Sequence, residues 1–147
     1  MLLANPEATA AAGVLLAKSL QIGDVVALSG DLGAGKTSFA RGMLSALGLV
    51  DDAPSPSFAI VIPYALPDVT IPLWHIDLYR IDEAHETLEL GLDDARGEAA
   101  LVIEWPERMG QYLWDDVLKI SLEPDESGGR RLTVAVPPSW EGRCPFQ

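Results

Sequence analysis

The chain has 147 residues, 48% of them hydrophobic, and its 22 acidic and 10 basic residues give a net charge of −12. This length and apolar content predict one globular domain with a buried core, and they exclude a disordered chain. A surface this acidic should repel a phosphate backbone, so we expect no strong direct binding of nucleic acid.

Three further features predict a cytoplasmic protein without membrane contact. The apolar runs are shorter than the roughly 18 residues that a membrane span needs. The N-terminus carries no basic and apolar leader. Cys144 is the only cysteine, so it has no partner for an internal disulfide, which is typical of a reducing compartment.

The first part of the chain predicts a helix, a strand and a second helix. Residues 6–20 predict an amphipathic helix, with Pro6 in its first turn and Leu16 on its apolar side. Residues 24–29 are apolar and β-branched, which indicates a buried strand. Farther on, apolar side chains spaced four apart predict the second helix, which Gly48 ends.

Between that strand and the second helix lies Gly-Asp-Leu-Gly-Ala-Gly-Lys-Thr, which fits the phosphate-binding loop pattern. Its glycines let backbone N–H groups turn inward around phosphate oxygens, and the following helix presents further N–H groups. Lys36 supplies a cation for the outer phosphates, and the Thr37 hydroxyl is a suitable Mg²⁺ ligand. The predicted nucleotide-binding residues here are Gly30, Asp31, Leu32, Gly33, Ala34, Gly35, Lys36, Thr37 and Ser38.

The loop region is followed by a predicted break and a hairpin. Residues 51–56 form the break and contain two prolines, and residues 57–62 predict a strand. In a phosphate-loop protein, the Ser57 hydroxyl either reaches the γ-phosphate or Mg²⁺ as a switch residue does, or belongs to an ordinary turn serine. Residues 67–68 predict the hairpin tip.

Residues 71–80 alternate between apolar and polar side chains, which predicts a strand with His75 and Asp77 on one face. A carboxylate in such an apolar strand is costly unless it is paired, hydrogen-bonded or linked to a metal. We therefore favour a catalytic or Mg²⁺-linked role for Asp77 over an internal salt bridge with Arg80. We interpret His75 as a structural histidine.

A helix and another buried strand follow. Residues 82–90 predict the helix, which Gly91 ends. Residues 99–104 predict a central strand that carries Glu104 to the carboxyl edge of the sheet, where phosphate-loop folds place the second acid of the Mg²⁺ site. The alternative for Glu104 is a capping or turn role. Trp105 either covers the core or senses the site.

The C-terminal part predicts two antiparallel strands, at residues 117–122 and 131–136. Residues 138–147 are rich in turn formers and are predicted as a poorly ordered tail on a domain of residues 1–137. The order of elements predicts one α/β phosphate-loop NTPase domain. Its central sheet is mostly parallel or mixed and flanked by helices, with an antiparallel C-terminal part.

The loop is followed in order by Ser-Pro-Ser-Phe at 55–58, His-Ile-Asp-Leu-Tyr-Arg at 75–80 and Ile-Glu-Trp-Pro-Glu at 103–107. With these motifs the chain, up to about Val136, resembles the bacterial TsaE (YjeE-type) family. Its members are small P-loop ATPases needed for threonylcarbamoylation of adenosine in tRNA. The resemblance implies ATP and Mg²⁺ as cofactors and the TsaB and TsaD proteins as partners.

The resemblance also implies roles for individual residues. The catalytic residues would be Lys36, Asp77 and Glu104, and the metal ligands would be Thr37, Glu104 and Asp77. Phosphoryl transfer depends on positioning and electrostatics, so Lys36 would offset phosphate charge while Asp77 orients water. The resulting hypothesis is a Mg²⁺-dependent ATPase that supports tRNA N6-threonylcarbamoyladenosine modification within a multi-protein complex.

Other positions extend or depart from the family pattern. Ser57 stands where the family usually has Thr, so it keeps the hydroxyl but lacks the methyl group that limits its rotation. Residues 7–9 and Arg130 match positions near the nucleotide. Arg41 and Arg80 are candidates for an arginine finger, but neither is clearly placed as one. Since a missing finger slows turnover about 10³–10⁵-fold, we expect weak hydrolysis alone and faster hydrolysis with partners.

Three alternatives share the same loop. A small-molecule kinase would need an acceptor site and a lid, which usually carries several arginines, and no such cluster is visible. A GTP-dependent switch commonly has an Asn-Lys-x-Asp segment, whereas Asn5 is the only asparagine here. A nucleotide-sensing assembly module would need ATP binding but not its hydrolysis.

Overall fold

The computed structural model describes residues 1–51 and 53–146, and it contains a seven-stranded sheet with helices packed on its two faces. The strands are β1 (Leu2–Leu3), β2 (Val25–Ser29), β3 (Val61–Tyr64), β4 (Leu73–Asp77), β5 (Ala100–Glu104), β6 (Leu118–Pro124) and β7 (Arg130–Ala135). The α-helices are α1 (Pro6–Ala17), α2 (Lys36–Ala46) and α3 (Leu92–Arg96). Three 3₁₀ segments cover Ala84–Leu90, Pro106–Tyr112 and Pro138–Trp140. None of the helices within residues 1–51 and 53–146 has the length and apolar character of a membrane span.

The sheet order is β1-β7-β6-β2-β5-β4-β3, and its centre is parallel. Strand β2 pairs parallel with β5 and β6, and β5 pairs parallel with β4. The outer pairs β3–β4, β6–β7 and β1–β7 are antiparallel. This topology confirms the predicted mixed α/β fold with an antiparallel C-terminal part. Because β4 and β5 run parallel in register, their last residues, Asp77 and Glu104, are paired at one edge of the sheet.

Apolar side chains pack on both faces of the sheet, as expected for a central parallel sheet whose strands are buried on two sides. One cluster lies under α1 and α2 and includes Leu16, Phe39 and Leu118. The other lies under α3 and the segment Pro106–Tyr112, and it includes Ile76 and Ile103. The phosphate-loop helix is thus fixed on the first face by its buried apolar side.

Helices α1 and α2 approach closely because each has a glycine that faces the backbone of the other helix. A Cβ atom added at Gly13 would lie 2.1 Å from a carbonyl oxygen of α2, and one added at Gly42 would lie 2.0 Å from a carbonyl oxygen of α1. Helix α1 confirms the position of the helix predicted for residues 6–20, but it ends earlier, at Ala17. Its buried side combines small residues with Leu16, while Leu15 is exposed.

Two predicted elements differ from the structure. The strand predicted for residues 57–62 begins only at Val61, because the chain turns before it and Ile60 N donates to Pro56 O at 2.8 Å. Asp52, within the predicted break, lies outside the described residues. The helix predicted for residues 82–90 is a 3₁₀ segment that begins at Ala84.

Residues 138–146 of the predicted poorly ordered tail pack against the core, and Gln147 lies outside the described residues. Trp140 has no solvent exposure and belongs to the apolar cluster beneath α1 and α2, and Cys144 is also buried there. The Arg143 guanidinium lies over the Trp140 ring, 4.0 Å from its centroid, and forms an ion pair with Asp24. The C-terminal segment thus closes the core next to the start of β2.

Candidate functional site

The predicted strand, glycine loop and helix are present as β2, residues 30–35 and α2. Gly35 precedes the first turn of α2 with φ 103°, a left-handed conformation that glycine adopts without a steric penalty. Because Gly35 has no side chain, it cannot cap the N–H groups of that first turn. They remain available, together with the helix dipole, for an anion in the loop.

Lys36 is buried within this loop. Its Nζ donates to the carbonyl oxygens of Gly30 and Asp31, the latter at 3.1 Å. The ammonium group also lies 4.1 Å from the centroid of the Trp105 ring, within the range of a cation–π contact. Burial lowers the pKa of Lys36, although the carboxylates of Glu104 and Asp77 oppose that shift. A cation held this way strongly favours an anionic neighbour.

Glu104, the last residue of β5, is only 3% exposed and receives two kinds of hydrogen bond. The Thr37 hydroxyl lies 3.2 Å from both of its carboxylate oxygens. The imidazole Nε2 of His75 lies 2.6 Å from Oε2. The first turn of α2 and the end of β5 are therefore joined through the Glu104 carboxylate, and the capping alternative is not what the contacts show.

Asp77, the last residue of β4, is buried beside Glu104. The Tyr79 amide donates to its Oδ1 at 2.9 Å, and the Ser57 hydroxyl donates to its Oδ2 at 3.3 Å. Burial raises the pKa of Asp77, the Glu104 charge adds to the rise, and the two hydrogen bonds oppose it. Arg80 instead lies over the exposed Phe58 ring, so the predicted alternative of an Asp77–Arg80 salt bridge is absent from the described residues.

These groups line one cavity of about 290 Å³. Its lining comprises Leu32, Gly33, Ala34, Gly35, Lys36, Thr37, Ser38, Ser57, Asp77, Glu104 and Trp105. Gly30 and Asp31 contribute the carbonyl oxygens that hold Lys36 instead. Most of the predicted site residues thus meet in a single place.

A second cavity of about 250 Å³ shares Gly33, Ala34, Gly35 and Ser38 with the first. Its other walls come from the N-terminal segment with Thr9 of α1, and from the turn before β7 with Arg130, the first residue of β7. The Arg130 guanidinium donates to the carbonyl oxygen of Gly33 at 3.1 Å. Arg41 lines neither cavity and donates to Ala53 O at 2.7 Å. Arg130 and Thr9 therefore lie at the loop, whereas Arg41 does not.

The side-chain oxygen atoms that line the first cavity are chemically suited to bind Mg²⁺. Thr37, Asp77 and Glu104 offer hydroxyl and carboxylate oxygens, the hard ligands that this ion prefers. No group of three or more His, Cys, Asp or Glu side chains within residues 1–51 and 53–146 could hold a metal by itself. Mg²⁺ is usually held by one or two carboxylates together with substrate phosphates, so these residues fit that ion better than a metal bound by protein alone.

Comparisons with known proteins agree with this geometry. Residues 3–132 match the model of the family described as "Threonylcarbamoyl adenosine biosynthesis protein TsaE". The chain belongs to the TsaE family. The tRNA threonylcarbamoyladenosine biosynthesis protein TsaE of Bacillus subtilis is 37% identical over 142 residues, covering 95% of this chain and 87% of the relative. TsaE of Treponema pallidum is 34% identical over 128 residues, or 86% and 93% of the two chains.

A solved structure extends the TsaE assignment to the fold. The crystal structure of Bacillus subtilis YdiB superposes with a TM-score of 0.81 and 33% identity, covering 96% of this chain and 87% of that one. The predicted P-loop NTPase fold is thereby confirmed.

Two residues make contacts at this candidate site that the sequence alone did not specify. His75 was interpreted as a structural histidine, but it contacts Glu104; its place beside Asp77 on one face of β4 was the available sign. The sequence allows two roles for Trp105, and in the structure its ring lies over Lys36 and 4.9 Å from the Tyr79 ring centroid. Its φ of 61° is unusual for a residue with a side chain and costs roughly 1–2 kcal/mol.

Proposed function

We propose that this chain is a Mg²⁺-dependent ATPase that supports N6-threonylcarbamoyladenosine modification of tRNA together with partner proteins. The observation that carries the proposal is the convergence of Thr37, Asp77 and Glu104 on the cavity beside the phosphate loop. The names of the curated relatives, tRNA threonylcarbamoyladenosine biosynthesis proteins, support the biological role.

The loop amides and Lys36 bind the phosphates in this proposal. Phosphate oxygens take the place of the Gly30 and Asp31 carbonyl oxygens as acceptors for the Lys36 ammonium. Because this group is buried, its attraction to an anion is screened less than it would be in water. The N–H groups at the start of α2 add donors that need no reorganisation.

Thr37 and Glu104 would hold Mg²⁺, and the Asp77 carboxylate lies in the same cavity beside them. When bound, the ion supplies positive charge against the β- and γ-phosphate oxygens. Asp77 accepts a hydrogen bond from the attacking water and orients it. The Ser57 hydroxyl, which contacts the same carboxylate, is placed to respond to the γ-phosphate as a switch residue.

The second cavity is the place for the nucleoside. It adjoins the first cavity, which would hold the phosphates, through four shared loop residues, as a ligand extending away from the phosphates requires. Thr9 lines it, and Arg130 reaches its edge at Gly33. Both residues match positions that the family resemblance predicted near the nucleotide.

Partner proteins supply what the phosphate cavity lacks. None of its described lining residues is an arginine, so charge that develops on the transferred phosphoryl group would be offset by Lys36, the loop amides and Mg²⁺. Turnover without a finger is slower by about 10³–10⁵-fold. The family resemblance implies TsaB and TsaD as these partners, and we expect them to stimulate hydrolysis.

The test is phosphate release from ATP, measured for the chain alone and with TsaB, TsaD and tRNA. We expect slow release alone, faster release with the partners, and loss of both in Lys36→Ala. The matched control is Lys18→Ala, which removes an exposed lysine at the end of α1. Equal rates with and without partners would contradict the stimulation, and normal hydrolysis by Lys36→Ala would contradict the site.

A further inference from the structure

His75 is a fully buried polar residue whose contact is with the proposed metal site. It shares a face of β4 with Leu73, which belongs to the apolar cluster under α1 and α2. An apolar residue would fill that position without a desolvation cost. The only hydrogen bond of the imidazole in the described chain is from Nε2 to Glu104, at 2.6 Å.

The hydrogen-bond network assigns the tautomer of His75. The Glu104 carboxylate only accepts, and it already accepts from the Thr37 hydroxyl, so His75 donates from Nε2–H. Nδ1 is buried and has no partner within residues 1–51 and 53–146. In the tautomer with the proton on Nε2, the unpartnered Nδ1 is an acceptor. In the other tautomer it would be a buried N–H donor without a partner.

The contact with His75 bears on the orientation of the Glu104 carboxylate. The terminal torsion of a glutamate is broad, so the direction of its carboxylate depends on the donors that contact it. His75 holds Oε2 from the β4 side, which leaves the carboxylate facing the Thr37 hydroxyl on α2. Partners that orient a metal ligand in this way typically change metal affinity or activity about 10–100-fold when they are removed.

We propose that His75 is a positioning residue that fixes the Glu104 carboxylate and thereby sets how much Mg²⁺ strengthens nucleotide binding. This inference rests on the proposed function, because it presumes that Glu104 holds Mg²⁺ beside the nucleotide. A purely structural histidine would change stability and leave the effect of Mg²⁺ on nucleotide affinity unaltered.

The experiment is calorimetric titration with ADP, once in Mg²⁺ and once in EDTA, and the readout is the ratio of the two affinities. His75→Phe fills the space without a donor, and His75→Gln keeps an N–H donor. The control Leu73→Val changes packing on the same face of β4. We expect His75→Phe to lose about 10–100-fold of the Mg²⁺-dependent gain. His75→Gln should retain most of that gain, Leu73→Val all of it, and the affinities in EDTA should be equal.

An unchanged gain in His75→Phe would overturn the role of His75 while leaving the proposed function intact. A wild-type chain that binds nucleotide with no gain from Mg²⁺ would overturn both. If His75→Phe does not fold, His75→Met takes its place with a flexible apolar side chain. Nitrogen-15 NMR of the wild type gives a second test, with signals assigned by His85→Gln. A proton on Nε2 supports the inference, and a proton on Nδ1 overturns it.

Discussion

Two regions of this molecule hold charged side chains against apolar clusters, and they do so differently. At the carboxyl edge of the sheet, the His75 and Glu104 side chains are 0% and 4% exposed. At the C-terminal segment, Arg143 and Asp24 are 22% and 11% exposed and form a two-point ion pair at 2.7 and 2.9 Å. The second pair neutralises itself and keeps contact with water, whereas the first contains no permanently charged cation.

From this difference we expect the C-terminal region to serve stability and the sheet edge to serve the proposed chemistry. Arg143 ties the segment that carries the buried Trp140 to the start of β2, so its contacts favour the folded state. Asp77 has a pKa raised by burial and Lys36 has one lowered by burial, so both resist the ionised form that phosphate and metal chemistry needs. Such costs are typical of functional sites. Substitutions in the two regions should therefore have different consequences.

The largest effect is expected from Lys36→Ala on nucleotide affinity. Hydrogen bonds to charged groups contribute roughly 1.5–3 kcal/mol, so affinity should fall about 10–100-fold. Calorimetry with ADP and Mg²⁺ measures it, and Arg143→Ala should bind as the wild type does. Similar losses in both variants would mean that the two regions are not separate.

A smaller effect, on stability, is expected from Arg143→Ala. It leaves Asp24 without its partner and uncovers the Trp140 ring. We expect a loss of about 1–2 kcal/mol, or roughly 2–8 °C in the midpoint of thermal unfolding. Arg131→Ala, which breaks a more exposed ion pair with Asp125, is the matched control and should change little. Equal midpoints for wild type and Arg143→Ala would remove the stabilising role of the segment.

The smallest effect is expected from Asp77→Asn, and it should depend on pH. The folded-state pKa of Asp77 is raised, so at neutral pH the ionised carboxylate disfavours the folded protein. Asp77→Asn should therefore unfold at a higher temperature than wild type. The difference should shrink as pH falls through the folded-state pKa, because wild-type Asp77 then becomes neutral. Unfolding midpoints of both proteins should be measured across this pH range. A difference that grew as the pH fell would contradict the prediction.

The sequence predicted that the candidate site residues would lie together at one edge of the sheet. Two apolar strands ending in Asp77 and Glu104, beside a glycine loop, imply acids at one edge once the strands are parallel. The partner of Glu104 was not predicted, because a lone histidine in an apolar strand is usually structural and its contact is made across the sheet. Which parallel strands lie next to each other is determined by the fold, and spacing along the chain does not reveal it.

Local patterns failed at the tail and at residues 57–60. The segment after Pro137 is rich in turn formers, yet Trp140 is buried by contacts with distant parts of the chain that no local pattern contains. Between Pro56 and Ile60 a backbone hydrogen bond closes a turn, although the side chains suggested a strand. That turn is what brings the Ser57 hydroxyl to Asp77.

The most direct measurement is a crystal structure of the chain with Mg²⁺ and a non-hydrolysable ATP analogue. The proposed function predicts phosphates against the loop amides and the Lys36 ammonium, with Mg²⁺ held by the Thr37 hydroxyl and the Glu104 carboxylate and with Asp77 beside it. A loop without phosphates, or an ion that contacts neither Thr37 nor Glu104, would contradict the proposed site.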